Sequence, residues 1–153
     1  MSQQMTDPFD WNKKEYIFIA ASDVYELFDP EKFGLKPEAP HTACWKGFII
    51  HFSVKQSQLF IDKLEVNCED DVYPSINGVE AVDKSRWGDF HVYNKLKMPV
   101  TYTGTIIIGK HLNKSFLGRA FTGPHSYDET YELEFEQGIL IGSKETSGTY
   151  QGI

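Results

Sequence analysis

The feature that most constrains the fold is a strict alternation of apolar and acidic residues at positions 130–136. The apolar residues are Tyr131, Leu133 and Phe135, and the residues between and after them are Glu132, Glu134 and Glu136. Because successive side chains of a strand point to opposite faces, this alternation predicts a β-strand with one buried and one exposed face. Gln137-Gly138 follows and apolar residues resume at Ile139–Ile141, which predicts a hairpin with a glycine-aided turn.

Hairpin signals recur along the chain. Phe48–Val54 places four apolar residues on one face, and a turn at Lys55–Ser57 would return the chain through Leu59–Val66. Asn77-Gly78 is a strong signal for a type I′ turn, since both central positions of that turn need a positive φ, and Pro74 nearby indicates a short or edge hairpin. Further predicted strands are Glu15–Ala20, Gly88–Tyr93, Val100–Ile108 and Phe116–Phe121.

Helical patterning is weak. The best prospects are a turn or two within Ser22–Phe28, capped by Ser22 or Asp23, and a single turn near Glu31–Phe33. Eight to ten short strands with little helix predict an all-β domain, built as an antiparallel barrel or a sandwich. Two irregular segments, Asp29–Ala43 and Asn67–Arg86, are where we expect a site, because long irregular segments in compact domains are often functional.

Length and charge narrow the class of protein. A chain of 153 residues predicts a single domain over residues 1–153, with residues 1–12 a candidate flexible N-terminal tail. A net charge of −7 disfavours nucleic acid and anionic membrane surfaces as partners. The sequence shows neither a leader pattern nor a long apolar run, so we expect a cytoplasmic protein whose Cys44 and Cys68 are reduced, buried thiols.

The common catalytic and metal-binding patterns find little support. Gly104–Lys110 is one residue short of a phosphate-binding loop, and its β-branched residues favour an extended strand. No pair among the five histidines has local metal-ligand spacing, so we expect no metal site and no cofactor. No nucleophile motif surrounds a serine or cysteine, and we assign no catalytic residue.

Two tryptophans are candidates for an aromatic pocket. Trp45 and Trp87 each lie three residues before a phenylalanine, with a glycine between. A glycine beside a tryptophan at a strand start is typical of a bulge or a close backbone approach. The two indoles could therefore either cover one end of a barrel or provide a stacking surface for a ligand.

Two short motifs carry a resemblance. Thr42–Phe48 contains T-x-x-W-K-G-F, and Glu132–Gly138 contains E-L-x-F-x-x-G. Together they resemble a group of small uncharacterised bacterial proteins in which the first motif opens a strand and the second closes the chain. The resemblance spans residues 42–138, implies an all-β bacterial domain and transfers no catalytic residue. In size and acidity the chain also resembles immunity proteins of bacterial toxin systems.

These observations favour a non-enzymatic module that binds a basic protein, with a toxin-neutralising immunity protein as one example. Its acidic strand face would steer such a partner, and the candidate binding residues are Asp128, Glu129, Glu132, Glu134 and Glu136. The same glutamates could instead only keep a sheet face solvated. A second hypothesis is a barrel that carries a small apolar ligand, and a third, less favoured, is an enzyme that uses a barrel pocket.

Overall fold

The computed structural model describes residues 4–83, 90–117 and 123–148. These residues form nine strands: β1 (Asp7–Trp11), β2 (Lys14–Ala21), β3 (Phe48–Lys55), β4 (Gln58–Val66), β5 (His91–Tyr93), β6 (Met98–Pro99), β7 (Gly104–Leu112), β8 (Tyr127–Glu136) and β9 (Ile139–Glu145). The helical segments are α1 (Val24–Leu27) and three 3-10 helices, Pro30–Phe33, Lys114–Phe116 and Pro124–Ser126. Within these ranges no helix has the length and apolar character needed to cross a membrane.

Seven of the strands close into a ring of hydrogen bonds, in the order β3-β1-β2-β7-β8-β9-β4 and back to β3. Neighbours in the ring are antiparallel except β1 and β3, which run parallel. Strands β5 and β6 lie outside the ring and pair with β4. The predicted all-β class is therefore confirmed, with the closed ring of a barrel.

Two-residue turns with positive φ join three hairpins of the ring. The turn between β3 and β4 is Gln56-Ser57, and the turn between β8 and β9 is Gln137-Gly138, so both predicted hairpins are confirmed. A third turn, Asn12-Lys13, joins β1 to β2. Such mirror-image turns match the right-handed twist of the strands they connect. Asn77-Gly78 also forms the predicted tight turn, closed by a single bridge between Ile76 and Val79.

The interior of the ring is filled with side chains. Alternate residues of each strand point inward, and Leu133 of β8, Ile106 of β7 and Leu59 of β4 are fully buried. On β8, Leu133 and Phe135 are buried as predicted and Tyr131 is half-buried, while Glu134 and Glu136 are exposed. The alternation of β8 thus places one face in the core and the other in solvent.

The prediction of a flexible N-terminal tail is wrong for residues 7–11. They form β1, whose Phe9 is fully buried and lies opposite Tyr16 of β2 and Phe52 of β3. The stretch belongs to the sheet because its backbone pairs on both sides, and its inward side chain completes the core.

The strand predicted at Val100–Ile108 begins only at Gly104. Val100 donates its N–H to the carbonyl of Leu59 at 3.0 Å, outside any strand of the ring. Tyr102 is fully buried, and its hydroxyl accepts the N–H of Ser22 and donates to the carbonyl of Thr105, both at 3.0 Å. Residues 100–103 therefore pack across the end of the ring, and Gly104, with φ of +147°, turns the chain into β7.

Two other predicted strands are shorter than expected or fall outside the described chain. In the segment Gly88–Tyr93 the strand begins at His91, and Gly88 and Asp89 lie outside the described residues. In Phe116–Phe121 the first residue belongs to a 3-10 helix, and residues 118–121 lie outside the described residues. The short helical turns predicted near Ser22–Phe28 and Glu31–Phe33 are confirmed.

Candidate functional site

A groove of about 720 Å³ opens between the chain that precedes β1, strands β2 and β3, and the segment that holds α1. Much of its lining is apolar and comes from these separate elements: Phe18, Ile19, Leu27, Phe28, Phe48, Ile50 and Phe52. Four charged residues also line it: Asp7, Asp29, Glu31 and Lys46. The groove therefore joins apolar walls to a small set of charged groups, which is the usual composition of a ligand site.

Four phenylalanines, Phe18, Phe28, Phe48 and Phe52, form what we call the aromatic wall of the groove. Phe18 stacks on Phe52 with ring centroids 5.4 Å apart, and Phe28 contacts Phe48 at 5.5 Å with the rings inclined by 60°. Behind them, Phe33 stacks on Phe28 at 5.4 Å. Because the rings hold one another in place, the wall is formed before any ligand arrives.

Local capping fixes the segment that covers one side of the groove. The Asp23 carboxylate accepts the N–H groups of Tyr25 and Glu26, which begins α1. Asp29 caps the following 3-10 helix in the same way, and Pro30 supplies a φ suited to its first position. These caps place Tyr25 at the groove mouth, where 69% of it is exposed.

A buried carboxylate lies inside the groove beside its aromatic wall. The Asp7 side chain is 10% exposed; its Oδ1 accepts the N–H of Ile50 at 2.8 Å, and its Oδ2 forms an ion pair with the Lys46 ammonium. The same ammonium lies 4.8 Å from the centre of the Phe48 ring, within the range of a cation–π contact. Lys46 therefore neutralises Asp7 and rests on the aromatic wall.

The other two carboxylates of the groove form what we call the acidic rim, Asp29 and Glu31. Asp29 is half-buried and accepts the Glu31 N–H at 3.1 Å, while Glu31 is exposed. Among the described residues no lysine, arginine or histidine lies within ion-pair distance of either carboxylate. The described lining thus holds three carboxylates and one ammonium, a net charge of −2.

The predicted acidic face lies elsewhere, on the outer side of β8. Glu134 and Glu136 are exposed there, Glu132 is half-buried, and the exposed Asp128 shares their face. Glu132 lies opposite Lys144 of β9, next to a shallow depression of about 320 Å³ that also involves Glu134. The structure therefore brings four of the five predicted partner-binding residues to one surface.

Glu129, the fifth predicted partner-binding residue, belongs to the other face of β8. Its carboxylate lies 3.9 Å from the Lys110 ammonium, which in turn lies over the Tyr16 ring. Burial, together with a hydrogen bond to Glu129, raises the pKa of Tyr131 to about 12. Trp11 completes this cluster, with its ring 5.3 Å from that of Tyr131. Glu129 is thus engaged at one end of the ring rather than in the acidic face.

Of the two tryptophans predicted to form an aromatic pocket, only Trp45 belongs to the described residues. Trp45 is 41% exposed, its backbone N–H donates to the Gln4 side-chain oxygen at 2.8 Å, and it does not line the groove. Trp87 lies outside the described residues. Lys46, the residue after Trp45, is the one that enters the groove.

A histidine–glutamate pair lies on the outer face of β3 and β4. His51 Nε2 donates to Glu65 at 2.8 Å, and this hydrogen bond holds the pKa of Glu65 below its usual value. Ser53, two residues further along β3, is 1% exposed and its hydroxyl makes no hydrogen bond within the described chain. The pair therefore does not activate this serine.

In residues 4–83, 90–117 and 123–148, no three His, Cys, Asp or Glu side chains are placed to hold a metal ion.

The two cysteines are buried free thiols, as predicted. Cys44 is 2% exposed and packs with Ile49 and Phe90, while Cys68 belongs to the main core. Burial raises the pKa of both thiols, which lowers the fraction of reactive thiolate at neutral pH.

Sequence reasoning missed most residues of the groove. Its phenylalanines are indistinguishable from core residues in an alternating pattern, and Asp7 lies in a stretch that resembled a tail. One signal did point to the place, because the irregular segment Asp29–Ala43 contributes Asp29, Glu31 and Pro37 to the lining.

Comparison with protein-family models, with curated proteins and with solved structures finds no match for this chain.

Proposed function

We propose that this protein binds a small ligand with an apolar body in the groove. The observation that carries the proposal is the preformed aromatic wall inside a half-open space of about 720 Å³. Sites for small molecules commonly measure about 300–1,000 Å³ and combine apolar walls with a few polar groups. The ligand would lie under α1 against the inward face of the sheet, because Phe18 and Phe52 share the face of the buried Phe9 and Tyr16. The rest of the ring interior is filled by side chains.

A matched pair of valine substitutions tests this proposal. We expect the neutral dye Nile red to bind the protein saturably, with an increase in fluorescence on leaving water. Val24→Gln at the groove mouth should weaken the dye about threefold to fivefold, since roughly half a valine side chain, at about 1.5 kcal/mol for the whole, would lose its apolar contact.

Val72→Gln is the control for that titration. Val72 is 51% exposed and Val24 is 49% exposed, but Val72 does not line the groove. Its replacement should leave the dye affinity unchanged. Equal affinities for the two variants, or no saturable binding by the wild-type protein, would refute the groove as a ligand site.

A second candidate function is the binding of a basic protein through the acidic face, as in a toxin-neutralising immunity protein. The supporting observation is that Asp128, Glu134 and Glu136 are exposed on one side of β8, together with the half-buried Glu132. The overall charge of −7 has the same sign, so the field of the whole molecule would add to that of the face. Such charges act mainly on the rate of association.

Charge reversal tests this second function. Glu134→Lys together with Glu136→Lys should change the free energy of unfolding by no more than about 1 kcal/mol, since both side chains are exposed and exposed substitutions usually shift it by about 0.5 kcal/mol or less each. A basic partner isolated with the wild-type protein from its native host should associate more slowly with this variant and with a weaker dependence on salt. Unchanged association rates at low salt would show that the glutamates only solvate the sheet.

A further inference from the structure

We infer that the groove selects ligands that join an apolar body to a positively charged group, such as an alkyl- or arylalkylammonium ion. This inference rests on the proposed ligand-binding function and adds the charge of the ligand to it. Three features of the groove support it: the acidic rim, the ion pair between Lys46 and Asp7, and the contact of the same Lys46 ammonium with the aromatic wall.

The acidic rim supplies the attraction. Asp29 and Glu31 lie at the groove and have no cation within ion-pair distance among the described residues, whereas Asp7 is already paired with Lys46. A ligand ammonium near the rim would therefore meet two carboxylates that are not already paired with a cation of the described chain. The partly apolar surroundings strengthen such an attraction relative to bulk water.

The Asp7–Lys46 pair argues against an anionic ligand. Lys46 is the only cationic side chain among the described residues that line the groove. A carboxylate or phosphate ligand would have to share this ammonium with Asp7 or draw it away, and the Asp7 side chain is 10% exposed and otherwise accepts one N–H, from Ile50. Leaving a buried carboxylate without its cation is strongly unfavourable. An anionic group would also face the carboxylates of the acidic rim.

The aromatic wall shows how an ammonium group is accommodated. Lys46 Nζ lies 4.8 Å from the centre of the Phe48 ring while it pairs with Asp7. Phe28 contacts Phe48 and, like Asp29 and Glu31, lines the groove. A ligand cation in the groove would thus meet aromatic rings together with the carboxylates of the acidic rim, the combination that Lys46 already meets at Phe48 and Asp7.

Three probes with the same ten-carbon chain test the charge preference: decylammonium, decanol and decanoate. Binding of each is measured directly by calorimetry and by displacement of Nile red. We expect decylammonium to bind about fivefold to tenfold more tightly than decanol, the size expected for two partly exposed charge interactions. Decanoate should bind more weakly than decanol.

Two conservative variants then locate the preference. Asp29→Asn with Glu31→Gln should bring the affinity of decylammonium to within about twofold of that of decanol, while decanol and Nile red bind as before. Asparagine retains the ability to cap the 3-10 helix, and thermal unfolding checks that the fold is kept. Glu69→Gln with Glu80→Gln, which removes two negative charges outside the groove, should leave the preference intact.

The outcomes separate this inference from the function on which it rests. Equal binding of the three probes, tightest binding of decanoate, or a preference for decylammonium that survives in the double variant would each overturn the charge selection and leave the ligand groove standing. If none of the probes and no Nile red binds saturably, both the groove function and the charge selection are refuted.

Discussion

Replacing Phe135 with alanine is expected to lower the free energy of unfolding by about 3–5 kcal/mol, the usual cost of emptying a buried aromatic position. Phe135 is 1% exposed and points into the ring from β8, opposite Gly104 of β7 and Leu140 of β9. Its removal would leave a cavity where three strands meet. Denaturant unfolding, followed by tryptophan fluorescence and circular dichroism, measures the loss.

Glu134→Ala is the matched control for Phe135→Ala. Glu134 precedes Phe135 on β8 but is exposed on the opposite face, so its replacement should change the free energy of unfolding by about 0.5 kcal/mol or less. A loss below half of the expected value for Phe135→Ala would mean that the core at this position is not packed as the structure describes.

The second large effect is expected for Gly138→Ala, which should lower the free energy of unfolding by about 3 kcal/mol or more. Few single substitutions destabilise a protein by that much. Gly138 has a φ of +82°, and a Cβ atom built there would lie 2.0 Å from the carbonyl oxygen of Val100. The backbone cannot shift easily, because the Gly138 N–H donates to the carbonyl of Tyr102 and the Gly138 carbonyl accepts the N–H of Leu59. Denaturant unfolding again provides the measurement.

Gly78→Ala separates the two causes of that cost. Gly78 has a similar φ of +76°, but no atom lies within 4 Å of the position its Cβ would take. Its replacement should therefore cost only the strain of the left-handed conformation, about 1–2 kcal/mol. Similar losses for the two glycine variants would contradict the close approach of Val100 to Gly138.

The parts of the fold that sequence predicts correctly are those specified by neighbouring residues. The β3–β4 and β8–β9 hairpins follow from period-two alternation on both sides of a short turn, and alternation also separates Leu133 from Glu134. Strand β1 escapes such reasoning because it holds five residues, begins at Asp7-Pro8 and ends in an Asn-Lys turn without glycine. Its place depends on parallel pairing with β3, about forty residues away in the chain.

The groove lies beyond sequence reasoning for the same reason. Asp7, Phe28 and Lys46 come from separate parts of the chain and meet only when β1, α1 and the start of β3 are assembled. No local pattern marks a phenylalanine that, like Phe28, belongs to the core and also lines a groove. The charged surface is different, since Glu132, Glu134 and Glu136 lie on one strand and their common face follows from alternation alone.

The closure of the ring between β4 and β9 has a consequence for how the molecule fluctuates. A single residue pair, Gln58 with Ile139, joins these strands, whereas eight pairs join β3 to β4. Local opening requires the loss of the fewest contacts where pairing is shortest. The ring therefore has its fewest backbone pairs between β4 and β9, where the hydrogen bonds from Leu59 to Gly138 and from Leu140 to Ser57 hold it closed. Loss of these bonds would open the ring and expose the edge of β9.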